Sequence, residues 1–131
     1  MRYLLDTNAL LVGGLAFETL SASYRTILLD PANELVLSPA SIWEMAIKVR
    51  LGKLDLQGVT LDGLAGEFRR RLKIRLLSIK QSQLLYIATL PKVKDHGDPF
   101  DLLIIAQALT EKLLVLTSDG KFHLYGVDVV K

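Results

Sequence analysis

The segment His96-Gly97-Asp98-Pro99-Phe100-Asp101 runs directly into Leu102-Leu103-Ile104-Ile105, placing two carboxylates at the start of an apolar helix. Three further acids stand at comparable positions. Asp6 follows the apolar run Tyr3-Leu4-Leu5, Asp119 follows Leu113 to Ser118, and Glu44 lies early in the helix that begins at Pro39. Each acid has an ordinary structural explanation when taken alone. Asp6 suits a helix N-cap. Ser41 and Glu44 have the Ser-x-x-Glu spacing of a capping box. Asp98, followed by Pro99, is a natural N-cap, and Asp101 then complements the helix dipole. Asp119 precedes Gly120 in a turn. Gathered in one place, however, unpaired carboxylates repel. Apart from Lys121, these motifs hold no lysine or arginine to neutralise them. The economical partner is a hard divalent cation, Mg²⁺ or Mn²⁺, which takes oxygen ligands and bridges carboxylates to phosphate oxygens. Such a site activates water and stabilises charge on a phosphodiester.

Whether the acids meet depends on the elements that carry them. Short apolar runs at 2–5, 34–38, 73–79, 113–118 and 127–130 read as strands. Between them, helices are expected at 9–14 and 16–30 around a Gly13-Gly14 break. Others are expected from Pro39 to Leu51 (closed by Gly52), over 59–72, from Lys80 to Leu90 (stopped by Pro91) and over 99–111. Strands alternating with helices predict an α/β fold, a three-layer α/β/α sandwich around a mostly parallel sheet of about five strands, in one domain spanning 1–131. In open sheets of this kind functional groups collect at the carboxyl ends of strands. Asp6, Glu44, Asp98, Asp101 and Asp119 would then converge on one edge.

Composition narrows the chemistry. There are no cysteines and only two histidines, which excludes disulfides, thiolate zinc sites, a cysteine nucleophile and a histidine-rich centre. Half the residues are hydrophobic and the formal net charge is +2, so disorder is not expected and the charge permits, without requiring, a polyanionic partner. The basic residues cluster at Arg69, Arg70, Arg71, Lys73 and Arg75, and at Lys48, Arg50 and Lys53. A solvated face explains such runs as readily as a nucleic-acid surface. No apolar run reaches membrane-spanning length and no leader-like start is seen, so the expectation is a cytoplasmic protein without a membrane partner. Phosphate-loop, dinucleotide-binding and nucleophile-elbow motifs are absent.

Four blocks, Leu4-Leu5-Asp6-Thr7-Asn8-Ala9-Leu10-Leu11, the Ser38 to Leu54 segment, His96 to Leu109 and Leu116 to Val130, occur in the order seen in PIN-domain proteins. The chain most resembles the VapC-like toxins of bacterial toxin–antitoxin pairs, from residue 2 to residue 130. The resemblance implies a PIN-like α/β/α sandwich and a Mg²⁺- or Mn²⁺-dependent endoribonuclease, dimeric and silenced by a cognate antitoxin. It implies that Asp6, Glu44, Asp101 and Asp119 form the catalytic and metal-binding set, with Asp98 ranked below Asp101. Thr7 and Asn8 would hold the Asp6 loop, with Ser41, Thr117 and Ser118 supporting the acids. RNA contacts would fall to Lys48, Lys121 or the Arg69, Arg70 and Arg71 cluster.

Two positions depart from the family pattern. Leu102 stands where close relatives often have arginine, which shifts phosphate binding to other basic groups. The segment after Leu11 is Val12 to Ser21, without the family's tryptophans, although Leu10, Leu11, Leu15 and Phe17 could line a partner groove or simply fill the core. A receiver-like signalling domain would need an acceptor aspartate after the third strand, and the 73–83 segment has none. An Asp-x-Asp phosphatase fails at Thr7-Asn8. A PIN-like module that only binds RNA or a partner remains the alternative.

Overall fold

The computed structural model describes residues 1–130; Lys131, the last residue of the expected domain, lies outside them. Five strands, β1 (Arg2–Leu5), β2 (Glu34–Leu37), β3 (Arg75–Leu76), β4 (Leu114–Leu116) and β5 (Val129–Val130), form one sheet in the order β3-β2-β1-β4-β5. All pairs are parallel. Six α-helices connect them: α1 (Thr7–Leu15), α2 (Ala22–Leu29), α3 (Pro39–Arg50), α4 (Leu61–Leu72), α5 (Gln81–Tyr86) and α6 (Pro99–Glu111).

The strands alternate between two cores, as a period of two residues dictates. Tyr3, Leu5, Leu35 and Leu37 face a core built with Leu10 of α1, Tyr24 and Leu28 of α2, and Leu64 and Phe68 of α4. Leu4, Val36 and Val115 face the opposite core, filled by Leu103, Ile104, Ile105 and Ala108 of α6 and by Phe122 and Tyr125. Helices thus cover both faces, and the expected three-layer α/β/α sandwich is observed.

Several boundaries differ from the sequence expectation. Gly13 and Gly14 do not break a helix; they lie inside α1. A Cβ on Gly13 would stand 2.5 Å from Phe68 Cζ and one on Gly14 2.5 Å from Leu64 Cδ1, so the two glycines let α4 approach α1 closely. The expected 16–30 helix is instead a 3₁₀ turn (Phe17–Thr19) followed by α2, which Ser21 caps. The 73–79 strand shrinks to two residues at the sheet edge, because Lys73 takes a left-handed conformation that ends α4 and only Arg75 and Leu76 pair with β2. The Lys80–Leu90 helix divides into α5 and a 3₁₀ turn at Ile87–Thr89. The Ser41–Glu44 capping box does not form. Ser38 caps α3 through a hydrogen bond from Ala40 N–H, leaving Glu44 free for other partners.

Candidate metal centre

The carboxyl ends of β1 and β4 are stitched together immediately below the acids. Asp6 N–H donates to the Leu116 carbonyl at 3.2 Å. Beyond that bond, Thr117 links two acids. Its hydroxyl donates to Asp6 Oδ2 at 2.6 Å and accepts from Asp119 N–H at 3.0 Å. Asp6 also caps α1 by accepting from Ala9 N–H at 2.7 Å. The carboxylate is therefore fixed on both oxygens while buried at 7% exposure. Burial pushes the Asp6 carboxyl above its ordinary range; the Thr117 and Ala9 hydrogen bonds work against that rise, and the charges of Asp119 and Glu44 add to it.

Glu44, on α3, is similarly held. Thr7 Oγ1 donates to Glu44 Oε1 at 2.8 Å and stands 3.1 Å from Ser41 Oγ, while Lys48 Nζ donates to Glu44 Oε2 at 2.7 Å. Helix α6 brings in the remaining acids. Asp98 caps it by accepting from Phe100 N–H and Asp101 N–H at 2.9 and 3.0 Å. Trp43 of α3 packs edge-to-face on Phe100, with ring centroids 4.8 Å apart, and this contact sets the two acid-bearing helices side by side. Carboxylate oxygens of Glu44, Asp98 and Asp101 come within 4.8 Å of one another. Burial first, and then the charges of Asp98, Glu44, Asp119 and Asp6, push the Asp101 carboxyl up to about 7.

Asp6, Glu44, Asp101 and Asp119 line a single cavity of about 410 Å³, together with Thr7, Asn8, Lys48 and Ser118. Asp98 approaches this group through Glu44 and Asp101 without lining the cavity. Lys53, grouped with Lys48 in the sequence, also lines it, whereas Lys121 turns its ammonium to the Asp95 carbonyl. The arginine cluster lies elsewhere. Arg70 pairs with Glu67, Arg69 binds the Ile74 carbonyl, and Arg71 lines a different cavity beside Glu34, at the start of β2 rather than its end. These arginines are thus not brought to the acids, because α4 runs with its C-terminal end toward the opposite edge of the sheet. His96 is the site residue that the sequence reading missed. Its Nε2 stands 3.3 Å from Asp101 Oδ2 and 3.4 Å from Asp119 Oδ2. The signal available was its place two residues before Asp98 in the same short motif.

A divalent cation fits this donor set. Four carboxylates share the cavity with two lysines, and Lys48 is already committed to Glu44. Burial raises the Asp6 and Asp101 carboxyls first, and the neighbouring carboxylates add to the rise. Oxygen-rich donors of this kind suit Mg²⁺ or Mn²⁺.

A PIN-domain family model matches residues 3–127. The chain belongs to the PIN-domain family. No curated protein sequence matches it, and its likeness to solved PIN structures is one of fold. A chain of VapBC2 from Rickettsia felis, solved bound to a DNA fragment from its promoter, superposes with a TM-score of 0.72 at 21% identity, covering 99% of this chain and 98% of that one. A chain of VapBC-1 from nontypeable Haemophilus influenzae gives 0.62 at 20% identity, covering 100% and 98%. One from a toxin–antitoxin complex of Klebsiella pneumoniae gives 0.60 at 20% identity, covering 98% and 96%. Among the described residues of the present PIN domain, no helix is long and apolar enough to cross a membrane.

Proposed function

We propose that this PIN domain is a Mg²⁺- or Mn²⁺-dependent endoribonuclease and the toxin of a toxin–antitoxin pair. The observation that carries the reading is the convergence of Asp6, Glu44, Asp101 and Asp119 on one cavity at the carboxyl edge of the sheet. The structural neighbours, drawn from VapBC and toxin–antitoxin complexes, support an antitoxin partner; a homodimer in the cytoplasm is part of the same proposal. Asp6, Asp101 and Asp119 would hold the cation, with Glu44 completing the acidic set. When bound, the cation supplies an acidified water and Lewis-acid stabilisation of the phosphodiester.

The remaining chemistry belongs to the protein. Thr117 and Ala9 fix the Asp6 carboxylate through neutral donors, so it is oriented without losing its charge. Thr7 and Lys48 fix both oxygens of Glu44. Lys48 and Lys53, on the cavity wall, attract the phosphate backbone of an RNA strand. The carboxylate cluster receives the proton released by the attacking water.

Cleavage of a mixed pool of transfer, ribosomal and messenger RNA in EDTA, Mg²⁺ or Mn²⁺ tests the reading. Metal-dependent cutting is expected from the wild type and should vanish in a folded Asp6→Asn variant. Full activity in Asp6→Asn would refute the site assignment. No cutting by a folded, metal-loaded wild type would leave a module that only binds RNA or a partner.

A further inference from the structure

His96 has a bonding pattern that the nuclease reading leaves unused. Its side chain is 8% exposed, and Nε2, although close to Asp101 and Asp119, has no hydrogen-bond partner among the described residues. The other ring nitrogen is engaged. Nδ1 lies 2.7 Å from Tyr125 Oη, and Tyr125 Oη lies 3.2 Å from the carbonyl of His96 itself. A carbonyl can only accept, and a phenol has one proton to give. The assignment that satisfies both contacts is therefore Nδ1–H to Oη and O–H to the carbonyl. With Nδ1 engaged by Tyr125, Nε2 is the ring atom left for a ligand, aimed between two carboxylates.

Three electron-rich donors, from His96, Asp101 and Asp119, lie within 4.8 Å of one another. Metal–ligand bonds of about 2.0–2.2 Å set neighbouring donors about 3.0 Å apart in an octahedron and about 3.4 Å apart in a tetrahedron. The two nitrogen-to-oxygen spacings, 3.3 and 3.4 Å, fall in that interval. Tyr125 does for His96 what outer hydrogen-bond partners do for ligating histidines, fixing the ring and its tautomer. We infer that His96 is a nitrogen ligand of the cation site, which makes it a mixed imidazole–carboxylate centre selecting a first-row transition ion over Mg²⁺. The inference rests on the metal-dependent reading of the same cavity.

The test uses Mn²⁺ as a paramagnetic probe on protein carrying ¹⁵N-histidine, read by electron spin-echo envelope modulation. A directly bonded ¹⁵N coupling is expected. The chain's other histidine, His123, is exposed on the 3₁₀ turn Phe122–Tyr125, so the coupling should persist in His123→Gln and disappear in His96→Gln. The preference for Mn²⁺ over Mg²⁺ should also fall at least roughly tenfold in His96→Gln. The wild-type spectrum depends on no variant folding. Mn²⁺ bound through oxygen alone, Mn²⁺ not bound, or a coupling that follows His123 would each overturn the inference. Oxygen-only binding with RNA cleavage would leave the nuclease standing, whereas nitrogen coupling without cleavage would sink the nuclease and keep the ligand.

Discussion

Thr117→Val removes one hydroxyl from the site and keeps the shape of the side chain. Two hydrogen bonds disappear, the buried 2.6 Å donation to Asp6 Oδ2 and the half-buried 3.0 Å acceptance from Asp119 N–H. A bond to a charged group contributes about 1.5–3 kcal/mol and a neutral one about 0.5–1.5 kcal/mol, so the metal-free protein should lose roughly 2–4.5 kcal/mol. The loss should depend on pH. The Asp6 carboxyl is already raised by burial, and Thr117 holds it down by favouring the charged form. Without the hydroxyl its folded pKa climbs further. Between the ordinary carboxylate value and the folded one, the native state holds a proton that the unfolded state has released, so stability falls as pH rises through that window. Extending the window upward makes the variant's deficit grow with pH. It should be smaller at about pH 4, close to the ordinary carboxylate value, than at about pH 8. Urea unfolding in EDTA, followed by the fluorescence of the single tryptophan, Trp43, measures it directly. A deficit below about 0.5 kcal/mol, or one equal at the two pH values, would refute the reasoning.

Two other expectations concern packing and charge. Gly13→Ala would set a methyl 2.5 Å from the buried Phe68 ring and should cost about 1–3 kcal/mol by denaturant midpoint. Gly66→Ala in α4 meets nothing within 4 Å and should instead gain about 0.5–1 kcal/mol, so equal effects would refute the close-approach explanation. The metal-free protein should also lose stability as pH rises from about 4 toward 7, because the Asp101 carboxyl rises from 3.8 to about 7 on folding and the native state binds the extra proton. The loss is at most about 4 kcal/mol, and saturating Mn²⁺ should raise the melting temperature more at about pH 8 than at about pH 5. A metal-induced rise that is the same at both would refute it.

The sheet was legible because its strands alternate or run apolar in short bursts. Leu4 faces one core, while Tyr3 and Leu5 face the other. The four cavity acids were legible because they follow such runs or open the helices after them. Features set by distant partners were not. Gly13-Gly14 reads as a break by local propensity, but its meaning lies in Phe68 and Leu64, which α4 brings against it from far along the chain. Ser41 and Glu44 satisfy the capping-box spacing, yet Ser38 takes the cap, and Glu44 bonds across to Thr7 of another helix. The motif around Asp98 hinted at His96, but its ring orientation depends on Tyr125, many residues later, folding back onto it. The segment 73–79 is apolar enough for a longer strand, but the left-handed Lys73 delays its entry, and a two-residue edge leaves little backbone open to unwanted pairing.

The manner in which the acids are held says more than their proximity does. Asp6 is fixed by a hydroxyl and an amide, Asp98 by two amides, and Asp119 by the Lys121 N–H to its Oδ1. Among the described residues, a lysine is in contact with Glu44 alone of the four cavity acids. Neutral donors orient a carboxylate without discharging it, so the cavity keeps a negative charge that a structural salt-bridge network would have cancelled. Burial raises the Asp6 and Asp101 carboxyls, and the uncancelled charge of their neighbours raises them further. A sequence selected for stability alone would place a lysine or an apolar pair there. This arrangement instead leaves repulsion in the metal-free fold that the proposed cation would relieve, and cation binding and folding stability would then be linked quantities.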